Sequence, residues 1–385
     1  MIYLDHAATS FPKPEEVYRG MDAFVRSAGA NPGRGGHRLA VEAEAMLTET
    51  RALLARLFGA TRPEQVVFAL NASDALNMAI KGVVRTGDHV VTTVLEHNSI
   101  SRPLNRLAAE GAITLTRLPA GADHVVDPQA VAHALTPKTR LVAMTQAANV
   151  TGTIQPVGAV GTIVREHGAL FLVDAAQSAG AVPIDMARDA IDLLAFTGHK
   201  GLYGPTGTGG LVVGERADVR PWREGGTGGD ASNPLQPDEL PHRLEGGTPN
   251  VFGIAGLREG VRWVAAHGTE PLLLHERRLL KRLVGTMRRP EAYSWFGADR
   301  VLLESAGAGR VGLVAFNLPG LAPAELAARL EREFDLAVRA GLHCAPYAHR
   351  HLGTFPAGAA RISVGPATTD ADIDAAAAAL DALAK

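Results

Sequence analysis

The sequence predicts an α/β protein whose mostly parallel sheet is covered by helices, with a smaller α+β domain at the C-terminus. Between residues 41 and 214, short apolar runs alternate with helical patterns, and strands separated by helices imply parallel βαβ crossovers. After Gly214 this alternation stops. The 385 residues are enough for two domains. We expect an N-terminal segment at 1–13 that packs with the small domain, a large domain at 14–259 and a small domain at 260–385.

Each element follows from a local pattern. The apolar runs predict strands at 66–70, 89–94, 113–118, 140–145, 170–173, 193–196 and 210–213. Apolar residues at helical spacing predict helices at 41–58, 73–83, 101–110, 128–134 and 159–167, and Gly59 ends the first of these. Gly and Pro make 224–250 an irregular segment. The remaining patterns predict a helical region at 251–289, a strand at 310–317, a helix at 322–334, a strand at 361–364 and a helix from 371.

Composition excludes several function classes. The 38 basic and 40 acidic residues give a formal charge of −2, so no global field attracts nucleic acid or a membrane surface. No apolar run reaches the roughly 18 residues of a membrane span, and the first residues lack the pattern of a signal peptide. A single cysteine, Cys344, excludes an internal disulfide framework. We therefore expect a cytoplasmic protein.

The most informative stretch contains Lys200, which follows the apolar run 191–196 in a loop of small, hydroxyl-bearing and glycine residues. A lysine at the end of a buried strand is costly unless it is neutral, paired or covalently bound. Such a lysine serves as a nucleophilic amine or forms a Schiff base with an aldehyde cofactor. The loop alone also fits a solvated lysine on the surface.

Polar residues follow other predicted strands. Asp174 comes directly after the strand at 170–173, either as a structural cap or as the partner of a buried cation. Ser73 opens a helix, which suits a phosphate or an ordinary N-cap. His97 follows a predicted strand and is either a structural residue or an acid–base group. Together with Lys200 they match pyridoxal 5′-phosphate, which needs a lysine for its aldehyde, a carboxylate for its ring nitrogen and a helix start for its phosphate.

Glycine-rich loops at 204–210 and 225–229 do not favour a nucleotide instead. Neither loop is closed by the Lys-Ser or Lys-Thr pair of a phosphate-binding loop, and neither opens a helix with dinucleotide-binding spacing. Kinase, NTPase and nicotinamide-dependent dehydrogenase functions are therefore weakly supported.

Several motifs resemble the class V aminotransferase superfamily, and within it the cysteine desulfurase and selenocysteine lyase branch. They are Tyr3-Leu4-Asp5-His6-Ala7-Ala8-Thr9, Glu96-His97-Asn98, Asn149-Val150-Thr151-Gly152, Asp174-Ala175-Ala176-Gln177-Ser178, Thr197-Gly198-His199-Lys200, Glu245-Gly246-Gly247-Thr248-Pro249-Asn250 and Arg339-Ala340-Gly341-Leu342-His343-Cys344. The resemblance runs from residue 3 to Arg361. It implies the pyridoxal-phosphate transferase fold of type I.

The resemblance also implies residue roles. Lys200 would hold the cofactor covalently and move protons, while His97 would stack on the ring and act in acid–base steps. Asp174 would pair with the ring nitrogen and Gln177 with the ring hydroxyl. The other implied cofactor-binding residues are Ala72, Ser73, Thr197, His199, Asn149 and, from the second subunit of a homodimer, Thr248. Arg361 and Asn149 would bind the substrate carboxylate, for which the two-point geometry of a guanidinium is suited.

Cys344 would accept the sulfur of L-cysteine as a persulfide and release L-alanine, with His343, a helix dipole or a substrate amine favouring its thiolate. The alternatives are a selenocysteine lyase, another C–S lyase or aminotransferase of this superfamily, and a non-catalytic cofactor-binding protein. The short segment between Cys344 and Arg361, expected to be a hairpin, resembles the branch with a short cysteine loop. In that branch sulfur often passes to a dedicated acceptor protein.

Two departures from the family pattern concern details of the site. Gln146-Ala147-Ala148-Asn149 stands where relatives often have His-x-Ser-Asn, and Ala72-Ser73 stands where a Thr-Thr pair is common. The cluster His349-Arg350-His351 suggests either a metal site or a solvated loop. Without carboxylate or thiolate partners at ligand spacing the loop is favoured, so we expect no metal.

Overall fold

The computed structural model describes residues 1–33, 35–227, 232, 234–297 and 309–384. Its strands are β1 (Ile2–Tyr3), β2 (Val66–Ala69), β3 (His89–Thr93), β4 (Thr114–Leu118), β5 (Thr139–Thr145), β6 (Leu170–Asp174), β7 (Leu193–Thr197), β8 (Gly209–Val213), β9 (Ser294–Phe296), β10 (Leu313–Asn317), β11 (Leu336–Ala337), β12 (Arg339–Gly341) and β13 (Ala359–Ser363). The main sheet has seven strands in the order β2-β8-β7-β6-β5-β3-β4. Neighbours from β4 to β7 pair in parallel, and only the pairs that involve β8 are antiparallel. The predicted fold class is therefore confirmed.

The helices are α1 (Glu15–Ala28), α2 (Arg38–Phe58), α3 (Ala72–Val83), α4 (Asn98–Ala109), α5 (Pro128–Ala134), α6 (Val157–His167), α7 (Val251–His267), α8 (Thr269–Thr286), α9 (Pro323–Phe334), α10 (Pro346–His351) and α11 (Asp370–Leu383). The single helical region predicted at 251–289 is two helices, because Gly268 adopts φ +81° and ends α7. The helix predicted at 101–110 begins earlier, at Asn98, and includes Pro103 in its first turns. Gly59 ends α2 as predicted, with φ +68°.

The main sheet is apolar on both faces, which explains its continuous hydrophobic strands. Along β6, Phe171 packs into the core under α2, α6 and α7, whereas Leu172 packs into the core under α3 and α4. Successive strand residues point to opposite faces, so a sheet covered on both sides needs apolar residues at every position. In β5, β6 and β7 this burial leaves the polar residues at the strand ends.

The C-terminal part has its own sheet, in the order β12-β13-β10-β9, and a separate apolar core. The N-terminal segment belongs to this core through Leu4, and β1 pairs in parallel with β11. The predicted boundary at 259/260 lies inside α7, which packs against α1 and α2. The division into domains at these bounds stays a prediction. No helix in the described part of the chain is long and apolar enough to cross a membrane.

Candidate active site

Hydrogen bonds from two directions fix the loop that contains Lys200. β7 is buried throughout and ends at Thr197. After it, the carbonyl of Lys200 accepts the N–H of Tyr203 at 2.9 Å, and the carbonyl of His199 accepts the N–H of Ser10 at 3.0 Å. A Cβ on Gly180 would lie 2.0 Å from a carbonyl of this loop, so glycine is required there. The base of the lysine side chain is therefore held by backbone contacts.

The loop borders a cavity of about 260 Å³ at the carboxyl ends of the parallel strands, which is where ligands bind in open α/β sheets. All predicted site residues except Thr248 line it, namely Ala72, Ser73, His97, Asn149, Asp174, Gln177, Thr197, His199, Lys200, Cys344 and Arg361. Thr248 is exposed and lines a different cavity together with Arg51 and Glu245. Within one chain, the structure does not bring Thr248 to the other residues.

Lys200 and Asp174 have opposite charges in a poorly solvated part of this cavity. Burial lowers the pKa of Lys200 to about 8, although the negative charge of Asp174 acts in the opposite direction. Burial also raises the pKa of Asp174, against the Ala176 N–H that donates to its Oδ1 at 2.8 Å and the charge of Lys200. An amine with a pKa near 8 has a much larger neutral fraction at physiological pH than an exposed lysine, so it is a better nucleophile.

His97 is a neutral group at the start of α4. Its Nδ1 accepts the backbone N–H of Ser99 at 3.1 Å and lies 2.8 Å from the hydroxyl of Ser99. Because Nδ1 accepts a hydrogen bond from an amide, we assign the ring proton to Nε2. Burial lowers the pKa of His97 to about 4, and the positive charge of Lys200 adds to this effect. The ring is therefore neutral at physiological pH.

Another part of the cavity lining fits an anion. α3 begins here, and Asn71 caps it through the N–H of Asp74. The Oγ1 of Thr197 and the Nδ1 of His199 are buried and have no hydrogen-bond partner among the described residues. Unsatisfied polar atoms beside a helix N-terminus suit a phosphate group. With Asp174 available for a ring nitrogen, the cavity fits pyridoxal 5′-phosphate.

The cysteine lies on a strained backbone. His343 and Cys344 have φ values of +47° and +57°, a region that residues other than glycine rarely adopt. Two hydrogen bonds hold them: the N–H of Asn98 donates to the carbonyl of Cys344 at 2.7 Å, and the Nδ2 of Asn149 donates to the carbonyl of His343 at 2.6 Å. The side chain of Cys344 is exposed. The loop therefore fixes the position of the thiol, and the thiol is accessible to solvent.

Between Cys344 and Arg361 the chain forms α10 rather than the short hairpin that we expected, although β12 and β13 on either side do pair antiparallel. The prediction of a solvated loop around His349 is also wrong, because His349 lies in α10 and is fully buried. Its Nδ1 lies 2.8 Å from the hydroxyl of Thr354, and its Nε2 lies 3.4 Å from the Nδ1 of His343. The histidine therefore supports the cysteine loop from beneath.

Arg361 is buried and held from two sides. Only 1% of its surface is exposed. Its Nη1 donates to the carbonyl of Asn149 at 2.8 Å and its Nη2 forms an ion pair with Asp5 at 3.0 Å, whereas its Nε has no partner among the described residues. The amide of Asn149, predicted to contact cofactor and substrate, is engaged with the cysteine loop. Gln177 donates to the carbonyl of Ala7 at 3.0 Å.

Comparison with known proteins agrees with this geometry. A family model described as Aminotransferase class-V matches residues 2–376. The chain belongs to the aminotransferase class-V family. A probable cysteine desulfurase of Pyrococcus abyssi is 37% identical over 353 residues, which cover 90% of this chain and 85% of that protein. A probable cysteine desulfurase of Methanothermobacter thermautotrophicus is 34% identical over 364 residues, with 93% and 88% covered.

A solved structure has a closely similar fold. The apo structure of a cysteine desulfurase from Thermococcus onnurineus NA1 has a TM-score of 0.90 and 32% identity, and the match covers 100% of this chain and 94% of that one. The resemblance stated from the motifs is therefore confirmed at the level of family and fold.

Sequence reasoning missed three residues of this class-V site. Asp5 pairs with Arg361, Ser99 hydrogen-bonds to His97 and to Ser73, and Arg339 lines the cavity. Asp5 and Arg339 belong to motifs quoted from the sequence, so both could have been considered as site residues. What the sequence did not show was the strand register that turns them toward Arg361.

Proposed function

We propose that the chain is a pyridoxal-phosphate-dependent L-cysteine desulfurase, which converts L-cysteine to L-alanine and transfers the sulfur to Cys344 as a persulfide. The observation that carries the proposal is one cavity lined by a lysine of lowered pKa, a buried carboxylate and the only cysteine of the chain. Relatives named cysteine desulfurase, at 34% and 37% identity over most of the chain, support it.

In this proposal three residues would hold the ring of the cofactor, and a separate group of residues would hold its phosphate. Asp174 would pair with the ring nitrogen, Gln177 would contact the ring hydroxyl, and His97 would stack on the ring. Ser73 and the start of α3 at Ala72 would bind the phosphate, together with Thr197 and His199, each of which has a buried polar atom without a hydrogen-bond partner among the described residues. When bound, the cofactor supplies an aldehyde for covalent attachment of amines and a ring that withdraws electrons from the substrate.

The chain's own residues then move the proton and the sulfur. Arg361 and Asn149 orient the substrate carboxylate, and the neutral amine of Lys200 takes the proton from the substrate Cα. The Cys344 thiolate attacks the substrate sulfur, so that an S–S bond forms as the Cβ–S bond breaks. The electron pair left on carbon takes up a proton, which yields alanine. The exposed Cys344 then presents its outer sulfur to an acceptor protein or a thiol.

We also propose a homodimer, in which Thr248 of the second subunit contacts the phosphate. Thr248 is exposed on the surface of this chain and does not line the cavity that contains Lys200, which supports this arrangement. A free thiol that must stay reduced suits the cytoplasm. If the arrangement is right, a Thr248→Ala dimer has a weaker cofactor affinity, and a chain that is monomeric in solution contradicts it.

Turnover of L-cysteine by the purified holoenzyme tests the proposal. With a reducing thiol present to release the persulfide sulfur as sulfide, we expect alanine and sulfide in equal amounts, and we expect Cys344→Ala to abolish both. Alanine formation that survives Cys344→Ala would rule out the persulfide step. A holoenzyme that is inert toward L-cysteine but fast on L-selenocysteine would replace the desulfurase with a selenocysteine lyase. A chain that binds no cofactor would defeat both.

A further inference from the structure

A group of side chains joins the short helix that follows Cys344 to the main sheet. α10 begins at Pro346, and the next residue, Tyr347, contacts α4 and β4. The Nδ2 of Asn105 in α4 donates to the hydroxyl oxygen of Tyr347 at 3.1 Å. The guanidinium carbon of Arg117 in β4 lies 3.8 Å from the centre of the tyrosine ring. We call these three residues, Tyr347, Asn105 and Arg117, the Tyr347 contact.

Arg117 is held in place beneath the ring. Its Nη2 donates to the Oδ1 of Asn105 at 2.8 Å, and its Nη1 donates to the carbonyl of Thr93 at 3.3 Å and to the hydroxyl of Ser101 at 3.4 Å. These three acceptors are uncharged, so the negatively polarised face of the Tyr347 ring is a further electrostatic partner for the guanidinium. Arg117 is half-buried, and a cation binds an aromatic face more strongly when it is partly shielded from water.

The opposite side of α10 belongs to the C-terminal part of the chain. Ala345 and Ala348 share one apolar cluster with Ala315 of β10 and Ala359 of β13. The helix is therefore packed on the C-terminal sheet, while Tyr347 connects it to the edge of the main sheet. This connection lies three residues after the cysteine.

The backbone of the cysteine loop needs support of this kind. The left-handed conformations of His343 and Cys344 persist only if the surrounding structure holds them. The hydrogen bonds from Asn98 and Asn149 reach the carbonyls of these two residues, but they do not fix the helix that follows. The contact at Tyr347 supplies the missing support, so the segment is held on both sides of the thiol.

We propose that Tyr347 is a positioning residue for Cys344, because its contact with Asn105 and Arg117 fixes the distance between the thiol and the substrate sulfur. This rests on the proposed function, in which the thiolate attacks that sulfur. A displacement of about 1 Å can lower the rate of a reaction about a hundredfold, so Tyr347 affects turnover without touching the substrate. Tyr347 does not line the cavity that contains Lys200, and binding of a ligand at the cofactor is therefore independent of it.

Two substitutions test this role. Tyr347→Leu removes both the ring and the hydrogen bond, whereas Tyr347→Phe removes the hydrogen bond alone. We expect Tyr347→Leu to turn over L-cysteine about tenfold more slowly. Its Asn98 amide, which donates to the carbonyl of Cys344, should exchange hydrogen about tenfold faster. The effects of Tyr347→Phe should be smaller, about threefold. L-Alanine has no sulfur to meet the thiol, so its affinity, followed by cofactor absorbance, should not change in either variant.

Phe355→Leu is the matched control. The guanidinium carbon of Arg350 lies 3.9 Å from the centre of the Phe355 ring, so this substitution also removes a contact between an arginine and an aromatic ring. Arg350 and Phe355 both belong to the segment after the cysteine, and their contact does not join that segment to the main sheet. Phe355→Leu should therefore match the wild type in turnover and in exchange of the Asn98 amide.

Other outcomes overturn the assignment. Wild-type turnover by Tyr347→Leu is one, and a loss of L-alanine affinity as large as the loss of turnover is another, because it would indicate a general disturbance of the site. Thermal unfolding checks the fold, and Tyr347→Phe supplies the test if Tyr347→Leu does not fold. A wild type that makes no alanine from L-cysteine contradicts the proposed function, but hydrogen exchange still tests the contact. Faster exchange of the Asn98 amide in Tyr347→Leu than in Phe355→Leu supports it, and equal exchange overturns it.

Discussion

The lysine side and the cysteine side of the cavity are built in different ways. On the lysine side, β6 and β7 are fully buried strands of the main sheet. Asp174 is the last residue of β6, and Lys200 lies in the loop directly after β7. On the cysteine side, His343 and Cys344 adopt left-handed conformations that two asparagines hold in place. The lysine side is thus built on buried strands, whereas the cysteine side holds a strained backbone through a few hydrogen bonds. The proposed function asks the thiol to receive sulfur inside the cavity and to deliver it outside, and a loop held by a few hydrogen bonds suits both steps.

Removal of the lysine amine gives the largest expected effect. Lys200→Ala should lower turnover of L-cysteine by about a thousandfold or more, the order seen when a central catalytic group is removed. The absorbance of the covalently attached cofactor should disappear as well. Lys138→Ala, a change at an exposed turn, is the matched control and should behave like the wild type. Substantial turnover by Lys200→Ala would show that another group moves the proton.

Loosening the cysteine side should cost less. Asn149→Ala removes the hydrogen bond to the carbonyl of His343 and leaves a buried acceptor unpaired, a loss of about 1–3 kcal/mol. We expect turnover to fall about tenfold, and alkylation of Cys344 by iodoacetamide to become faster because the loop opens more often. Cys344 is the only cysteine, so the reagent reports on this loop alone. An unchanged alkylation rate would mean that the tether does not hold the loop.

The pH dependence of cofactor attachment reports on the lysine side. The neutral amine reacts with the aldehyde, and its fraction increases as pH rises through the pKa of Lys200, which burial lowers to about 8. Reattachment of cofactor to cofactor-free protein should therefore speed up between about pH 7 and pH 9 and then level off. Asp174→Asn removes the charge that raises this pKa, so its midpoint should lie lower. A rate that keeps rising past pH 10 would contradict the lowered pKa.

Relief of backbone strain at Cys344 should give the smallest effect, a change in the stability of the fold. Cys344 has φ +57°, so Cys344→Gly should be more stable than Cys344→Ala by about 1 kcal/mol. The neighbouring Ala345 has φ −133°, where glycine has no advantage over alanine. Ala345→Gly should therefore be less stable than the wild type. Urea unfolding measures both differences. Equal stability of the two Cys344 variants would mean that the loop relaxes once the thiol is removed.

The same contrast explains what the sequence could predict. The seven strands of the main sheet and the positions of Asp174 and Lys200 follow from hydrophobic periodicity, because local pattern and burial agree there. The turn at His343 does not follow, since its left-handed residues are neither glycine nor asparagine and depend on tertiary contacts. For the same reason α10 was expected to be a hairpin and His349 to be solvated. The opposition of Arg339 and Arg361 requires strand register, which periodicity alone does not give.

The central claim is that Cys344 accepts sulfur from a substrate held at Lys200. Mass spectrometry of the holoenzyme after brief exposure to L-cysteine tests it directly, with the peptide containing Cys344 compared before and after. We expect one additional sulfur atom on Cys344, removed by a reducing thiol and absent from Lys200→Ala. Alanine production by the wild type with no extra sulfur on Cys344 at any time would contradict the account.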